Sequence, residues 1–274
     1  MRAEKQGIAN KGTLIDHHCI KWGILIFRII CFTDFNYVKH RWENHPMNAQ
    51  GRVNQEYPVL THLNFRSVMG REIDVHVFGY GEPTTMVIGG IHGNEPCGID
   101  LAGGLIKEFK THSAPYLESR VVVIPKANPD GFIAGTRVNA RGVDINRNFP
   151  TKDFHRGTFT QNCNPGKLAA SEPETNVILQ MAAIFRPQFI LSFHAELGCV
   201  NYDGPGVQIA QAIAAENGLP VRKDLGYATP GSLGTYFGVE RNIPVITLEL
   251  LSQDEQWTRH GKAILKAIRM SQSE

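Results

Sequence analysis

Short apolar runs alternate with segments of helical periodicity along the chain from about residue 60 onward. Residues 72–81 alternate between apolar and polar positions and end in glycines, which predicts an edge strand. Continuous apolar runs predict buried strands at residues 84–90, 120–124, 188–196 and 243–251. Helical spacing of apolar residues, or helix start and stop signals, predict helices over residues 97–112, 171–187, 206–218 and 255–270.

This order of elements predicts the fold class. Strands separated by helices are typical of an α/β protein with a mixed, mostly parallel twisted sheet and helices on both faces. In such sheets the functional residues lie beyond the carboxyl ends of the strands. Side chains that follow the predicted strands are therefore the first candidates for a functional site.

Two element boundaries carry specific local predictions. Residues 128–131, with the sequence NPDG, predict a turn after the second apolar run. Ser171 is the expected N-cap of the second predicted helix, with Pro173 in its first turn and Glu174 at the capping-box position.

Composition and charge narrow the class of protein. The chain has 274 residues, of which 42% are hydrophobic and 20% charged, an ordinary balance for a globular protein with a full core. The net charge is only +2, and no basic stripe is interleaved with aromatics, so nucleic acid is not an indicated partner. The five cysteines are odd in number and form no C-x-x-C pair, which favours a reducing compartment.

The first 46 residues differ from the rest of the chain. Their apolar run WGILIFRIICF (22–32) is interrupted by Arg28 and is shorter than the roughly 20 residues that a membrane-spanning helix needs. No small-residue cleavage site follows it, as a signal peptide would require. We therefore expect no stable membrane association and an extension over residues 1–46, either disordered or not translated because synthesis starts at Met47. Residues 47–274 are the expected catalytic domain.

Histidines and carboxylates stand where several predicted strands end. His92 and Glu95 follow the first apolar run with H-x-x-E spacing, and His194 and Glu249 lie near the ends of two later runs. Because such strands end at one edge of the sheet, these side chains are expected to converge. The same spacing recurs in residues 40–43, which follow no predicted strand, so spacing alone does not identify a site.

His92, Glu95 and His194 form a donor set suited to zinc. A catalytic zinc ion takes three protein ligands, two histidines and a glutamate being one known set, and keeps a position for water. Gly93 would let the chain turn tightly between two ligands, and Pro96 can start the following helix. We expect one zinc ion per chain, while these donors also suit other divalent metals.

Glu249 interrupts the otherwise apolar sequence ITLELL. A carboxylate in such a run is costly to bury unless it is paired or its pKa is tuned for a task. We expect it to be a general base, which takes a proton from zinc-bound water and returns it to the leaving amine. The alternative is that strand alternation points Glu249 to solvent.

The segment VDINRNFP (143–150) follows the strand 120–124 and holds three further candidates. Asp144 can accept a hydrogen bond from a ligand histidine and fix its tautomer. Asn146 and Arg147 can clamp a substrate carboxylate, because a guanidinium offers two parallel donors. A surface ion pair is the alternative for Arg147.

Taken together, HGNE (92–95), DINRNF (144–149), His194 and TLEL (247–250) resemble the M14 family of zinc carboxypeptidases, over nearly all of residues 60–270. The resemblance implies zinc at the histidines and Glu95, catalysis by Glu249, and a substrate carboxylate held by Asn146 and Arg147.

Two further roles rest on this resemblance. Arg137, in TRVNARGVD, matches the arginine that stabilises the oxyanion in this family, although Arg141 lies nearby. Tyr227 stands where the family often has a tyrosine over the substrate.

Residues 199–206 and 225–250 are similar to the murein tripeptide amidases, a bacterial branch of the family. This implies a cytoplasmic enzyme that cuts the γ-D-glutamyl–meso-diaminopimelate bond of L-Ala-γ-D-Glu-meso-diaminopimelate, a small peptide recovered from the cell wall. Asp203 is a candidate partner for the diaminopimelate ammonium, although Asp-Gly-Pro is also a turn sequence.

Three other functions stay open at this point. The chain could be a zinc carboxypeptidase for other C-terminal residues. It could be an N-acyl amino acid hydrolase of the desuccinylase or aspartoacylase type, or an inactive binding module on the same scaffold. The sequence does not indicate an oligomeric state.

Overall fold

The computed structural model describes residues 61–79, 81–112, 119–154 and 160–270. The predictions on residues 1–46, on a start at Met47 and on the spacing in 40–43 lie outside these ranges. Within them, one sheet of eight strands is formed by Thr61–Arg66 (β1), Glu72–Phe78 (β2), Thr84–Ile88 (β3), Arg120–Ile124 (β4), Phe189–Ala195 (β5), Cys199–Asp203 (β6), Val221–Arg222 (β7) and Val245–Leu250 (β8).

Helices connect most of these strands. The α-helices of the described residues are Pro96–Thr111 (α1), Pro129–Ala134 (α2), Pro173–Phe185 (α3), Val207–Asn217 (α4) and Gln256–Met270 (α5). Short 3₁₀ segments lie at Ile145–Arg147 and Gln161–Cys163, and a π-helical segment at Gly234–Val239. None of the helices in the described ranges is long and apolar enough to cross a membrane.

The sheet is mixed, with its parallel strands at the centre. Its strand order is β1-β2-β4-β3-β5-β8-β6-β7. The central strands β4, β3, β5 and β8 pair in parallel, whereas β1, β2 and β4 pair antiparallel and β6 runs antiparallel to β8. The predicted α/β fold with a mostly parallel sheet is thus confirmed.

The hydrophobic core on one face of the sheet joins α1, α4 and α5 to the central strands. Alternate strand residues such as Val87, Leu191 and Leu248 are fully buried there, together with Leu101 of α1 and Ile264 of α5. The intervening strand residues, which point to the opposite face, are also buried, as Met86, Ile88, Val122, Ile124 and Ile190 illustrate. The polar exceptions on that face are found toward the carboxyl ends of β5 and β8.

The prediction that residues 72–81 form an edge strand is wrong. β2 pairs with β4 on one side and with β1 on the other, so β1 is the edge. β1 has the sequence THLNFR, in which His62, Asn64 and Arg66 are exposed. β1 contains no apolar run that would predict a strand, and it is recognised as one because it pairs with β2.

Two local predictions are also corrected. Residues 128–131 begin the helix α2 instead of a turn, because the Asn128 side chain accepts a hydrogen bond from the Gly131 N–H at 2.8 Å and Pro129 occupies the first helical turn. The N-cap of α3 is Glu172 rather than Ser171, and Pro173 lies in the first turn as predicted.

Glu174 does not complete a capping box. Its carboxylate accepts hydrogen bonds from the Val68 N–H at 3.1 Å and from the Asn139 side chain at 3.1 Å. Contacts between distant segments have therefore replaced the local interaction that the sequence suggested.

Candidate active site

His92, Glu95 and His194 converge at the carboxyl ends of the central strands. His92 follows β3, Glu95 immediately precedes α1, and His194 lies in β5. The Nδ1 atom of His92 is 2.8 Å from Glu95 Oε1, and the Nδ1 atom of His194 is 3.0 Å from Glu95 Oε2. The two Nδ1 atoms lie 3.0 Å apart. In the described part of the chain, this is the one group of three or more potential protein ligands close enough to share a metal ion.

The chemistry of this group fits a divalent cation. All three side chains are buried, with 2%, 7% and 3% of His92, Glu95 and His194 exposed. Burial alone would raise the pKa of Glu95, but His92 and His194 hold that pKa well below its usual range. A buried anionic carboxylate beside two ring nitrogens is the donor set that zinc prefers.

Glycine and proline fix the local path of the chain. The chain turns tightly at Gly93 as predicted, since the Glu95 N–H donates to the His92 carbonyl at 3.2 Å. A Cβ atom at Gly93 would lie 1.9 Å from the carbonyl carbon of Gly131, so glycine is required because α2 approaches closely. Pro96 begins α1 as predicted.

A hydrogen-bonded chain runs from His92 through Asp144 to Arg137. Asp144 Oδ1 is 3.2 Å from His92 Nε2 and accepts the Asn146 N–H at 2.9 Å, while its Oδ2 accepts a hydrogen bond from Arg137 Nε at 2.9 Å. Burial opposes ionisation of Asp144, but the hydrogen bond and charge of His92 and the charge of Arg137 hold its pKa below its usual range. An anionic Asp144 can keep the Nε2 proton on His92, which leaves Nδ1 free as a ligand atom.

The two arginines of TRVNARGVD occupy different places. Arg137 Nη1 is 3.6 Å from Glu95 Oε1 and lines the cavity beside the metal group. Arg141 is 3.5 Å from Glu172 and does not line that cavity. The geometry thus favours Arg137 over Arg141 as a contact for substrate.

Glu249 points into the cavity and not to bulk solvent. It is the register partner of His194 across β5 and β8, and only 6% of it is exposed. Burial raises the pKa of its carboxyl above the ordinary value, and the nearby charge of Glu95 adds to this effect, whereas His194 opposes it. A carboxyl in this environment is suited to exchanging protons.

Asn146 and Arg147 line the cavity from the 3₁₀ segment. The Asn146 Oδ1 atom accepts the Leu233 N–H at 2.8 Å, and Arg147 Nη1 donates to the Asn146 carbonyl at 2.7 Å. Arg147 is 5% exposed and forms no ion pair with the described residues. The described residues thus provide no surface ion pair for Arg147, and its guanidinium faces the cavity, where an anion can bind.

One cavity is lined by nine of the ten predicted site residues, namely His92, Glu95, Arg137, Asn146, Arg147, His194, Asp203, Tyr227 and Glu249. The tenth, Asp144, is fully buried behind His92. Tyr227 is 53% exposed at the cavity rim, and Asp203 lies on β6.

The cavity also contains residues that the sequence analysis missed, including Glu196, Asn201, Lys223 and Thr247. Period-two alternation with Asp203 and Glu249 could have indicated Asn201 and Thr247.

Comparison with known proteins gives a consistent result. Residues 48–205 match the model of the zinc carboxypeptidase (M14 peptidase) family. A murein peptide amidase A from Vibrio campbellii is 32% identical over 193 residues, which cover 66% of this chain and 75% of the relative.

Solved structures of similar proteins support the fold. The murein-tripeptide amidase from Escherichia coli O157 superposes with a TM-score of 0.57 at 25% identity, covering 80% of this chain and 93% of that one. A carboxypeptidase A from Helicoverpa armigera superposes with a TM-score of 0.65 at 20% identity, covering 79% and 70%, and shares the fold.

Proposed function

The chain belongs to the zinc carboxypeptidase family of metallo-hydrolases, and from this premise we propose that it releases meso-diaminopimelate from L-Ala-γ-D-Glu-meso-diaminopimelate. We assign this activity to residues 47–274 and to the cytoplasm. The observation that carries the proposal is that one cavity holds a zinc-type donor set, a buried glutamate and an arginine without an ion pair among the described residues. The names of the amidase relatives support the choice of a murein peptide as substrate.

His92, Glu95 and His194 would hold the zinc ion, with His92 oriented by Asp144. Bound there, zinc supplies Lewis acidity toward the scissile carbonyl and lowers the pKa of water. The buried setting of these ligands, and the outer hydrogen bond to Asp144, support a permanent site.

Glu249 acts as the general base and then as the general acid. It takes a proton from the attacking water and passes it to the nitrogen of the leaving diaminopimelate, so the carboxylate is restored at the end of the cycle. Its raised pKa supports this role, because an acid–base group works best when its pKa lies near the working pH.

Arg137 donates to the oxygen that becomes negative during attack. Its guanidinium lies between Asp144 and Glu95, so the side chain is held in place before substrate arrives. Preorganised donors of this kind stabilise an oxyanion more than they stabilise the ground-state carbonyl.

Substrate is held by polar side chains of the cavity wall other than the zinc donors. Asn146 and Arg147 bind the carboxylate next to the scissile amide, which makes the enzyme act on a C-terminal residue. Tyr227 covers the bound peptide from the rim. Asp203 takes the side-chain ammonium of diaminopimelate, and its position in the same cavity as the zinc donors supports this role.

The test is to incubate the purified full-length chain, loaded with zinc, with the murein tripeptide and to follow free diaminopimelate. A Glu249→Gln variant serves as the matched control, because it keeps the shape of the side chain and removes the base. We expect release by the wild type and a loss of roughly 10²- to 10⁴-fold in kcat in the variant. If zinc is bound stoichiometrically and nothing is released, the murein assignment is wrong, and C-terminal peptides and N-acyl amino acids are the substrates to try next.

A further inference from the structure

An acidic and a basic residue of the cavity wall have no ionic partner among the described residues. Asp203, in β6, and Lys223, directly after β7, both line it. Among the residues that the structure describes, neither forms an ion pair, and the carboxylate of Asp203 accepts no hydrogen bond. Burial raises the pKa of the Asp203 carboxyl, an effect that an arriving cation would reverse.

The fold brings together the two segments that carry these residues. Asn201 and Asp203 are alternate residues of β6 and point to the same face of the sheet. The Asn201 side chain donates to the carbonyl of Arg222 at 2.9 Å and to that of Lys223 at 3.4 Å. The main chain at Lys223 is therefore fixed beside Asn201, roughly 7 Å along the strand from Asp203. A lysine side chain spans that distance.

Space for the Asp203 carboxylate comes from a glycine. A Cβ atom at Gly234 would lie 2.1 Å from Asp203 Oδ2, so any larger residue there would displace the carboxylate. Gly234 is itself part of the cavity wall. The carboxylate of Asp203 therefore fits because the neighbouring π-helical segment has a glycine at position 234.

The other cations of the cavity already have assigned roles. Arg137 is bound to Asp144 and lies near Glu95, and Arg147 is the clamp for the carboxylate next to the scissile bond. The side chain of diaminopimelate ends in an ammonium and a carboxylate on one carbon, whereas that of lysine ends in an ammonium alone. Among the described residues that line the cavity, Lys223 is the remaining cation that could bind this additional carboxylate.

We infer that Asp203 and Lys223 together bind the zwitterionic end of the departing residue, the ammonium at Asp203 and the distal carboxylate at Lys223. Lys223 then selects meso-diaminopimelate over lysine at this position. This inference rests on the proposed function, and it adds a specificity-determining residue to it.

The test compares two tripeptides, L-Ala-γ-D-Glu-meso-diaminopimelate and L-Ala-γ-D-Glu-L-Lys, as substrates of the full-length zinc enzyme. For Lys223→Met we expect kcat/KM to fall roughly five- to tenfold on the diaminopimelate peptide, mainly through KM, with no loss on the lysine peptide. Lys223→Arg should retain the preference. Asp203→Asn should lose activity on both peptides, since both present an ammonium. Lys110→Met, which removes an exposed lysine of α1 outside the cavity, controls for net charge.

Each outcome has a distinct meaning. Equal losses on both peptides for Lys223→Met would overturn the inference and assign Lys223 to the α-carboxylate of D-glutamate, which the two peptides share. An unchanged preference would overturn it as well. If the wild type cleaves neither peptide while it binds zinc, the proposed function itself fails, and the inference fails with it.

Discussion

Histidines lie close to carboxylates at several places in the described part of the chain, and two of these places, the cavity and the strands β1 and β2, show the same short distance in different surroundings. In the cavity, His92 Nδ1 is 2.8 Å from Glu95 Oε1, with 3% and 8% of the two side chains exposed. On the antiparallel strands β1 and β2, His62 Nε2 is also 2.8 Å from Asp74 Oδ1, with 46% and 37% exposed. His76 lies directly opposite His62, with ring centroids 4.9 Å apart.

The difference shows that a short distance between histidine and carboxylate is not sufficient. Neighbouring antiparallel strands spread their side chains over a surface that water reaches, whereas the parallel strands β3, β5 and β8 end together and direct theirs into one cavity. The cavity group also has an outer layer, in which Asp144 joins His92 to Arg137. Burial, convergence and this outer support distinguish the cavity group from the β1–β2 group.

The largest expected effect is on metal content, when a histidine is removed from the cavity group or from the β1–β2 group. His194→Ala should abolish stoichiometric zinc and lower kcat/KM by at least about 10³-fold, because the site loses one of three ligands. His76→Ala should leave both values unchanged. Elemental analysis of the purified variants and the diaminopimelate-release assay measure these effects. Full zinc content in His194→Ala would contradict the assigned ligand set.

An intermediate effect tests the outer layer. Asp144→Asn should weaken zinc affinity roughly 10- to 100-fold, because the His92 ring is no longer oriented by an anion. Asp74→Asn removes the corresponding carboxylate from the β1–β2 group and should leave zinc affinity unchanged. Competition with a chromophoric chelator gives both affinities. Equal affinities for the two variants would show that Asp144 has no role in orienting the ligand.

The smallest effect concerns the β1–β2 group and acid stability. Burial, with the charges of His62 and Lys110, lowers the pKa of His76 from 6.5 to about 4, although Asp74 opposes this. The unfolded chain therefore takes up a proton at His76 at a higher pH than the folded one, and stability falls as pH decreases from about 6.5 toward 4.

His76→Gln should remove this component of the pH dependence. Between pH 7 and 5 the wild type should lose about 1 kcal/mol or less more of its free energy of unfolding than the variant. The effect is small because the His76 ring is only half-buried and solvent screens its charge. Urea titrations of wild type and variant at both pH values measure it. Parallel pH profiles would mean that His76 titrates alike in the folded and unfolded chains.

Much of the framework was predictable from local sequence. The apolar runs identified β3, β4, β5 and β8, and helical spacing identified α1 and α3–α5, because a fully buried strand or an amphipathic helix imposes its periodicity on the residues it contains. The candidates in HGNE and TLEL were found from their positions, directly after one buried strand and at the end of another. The edge strand β1 was missed because half of its residues face water.

The sequence by itself therefore determined the central elements and, from their order, the fold class. It also gave the candidate zinc ligands, because they follow or end strands that a mostly parallel sheet brings to one edge. Tertiary structure alone decided that Arg137 and not Arg141 faces the cavity, that Glu249 points inward, and that Lys223 and Asp203 line the same cavity. Contacts around the cavity join positions about a hundred residues apart, as the hydrogen bond from the Ala195 N–H to Glu95 Oε2 shows. Only the packing of the folded chain brings such groups within reach of one another, because no local periodicity encodes their distance.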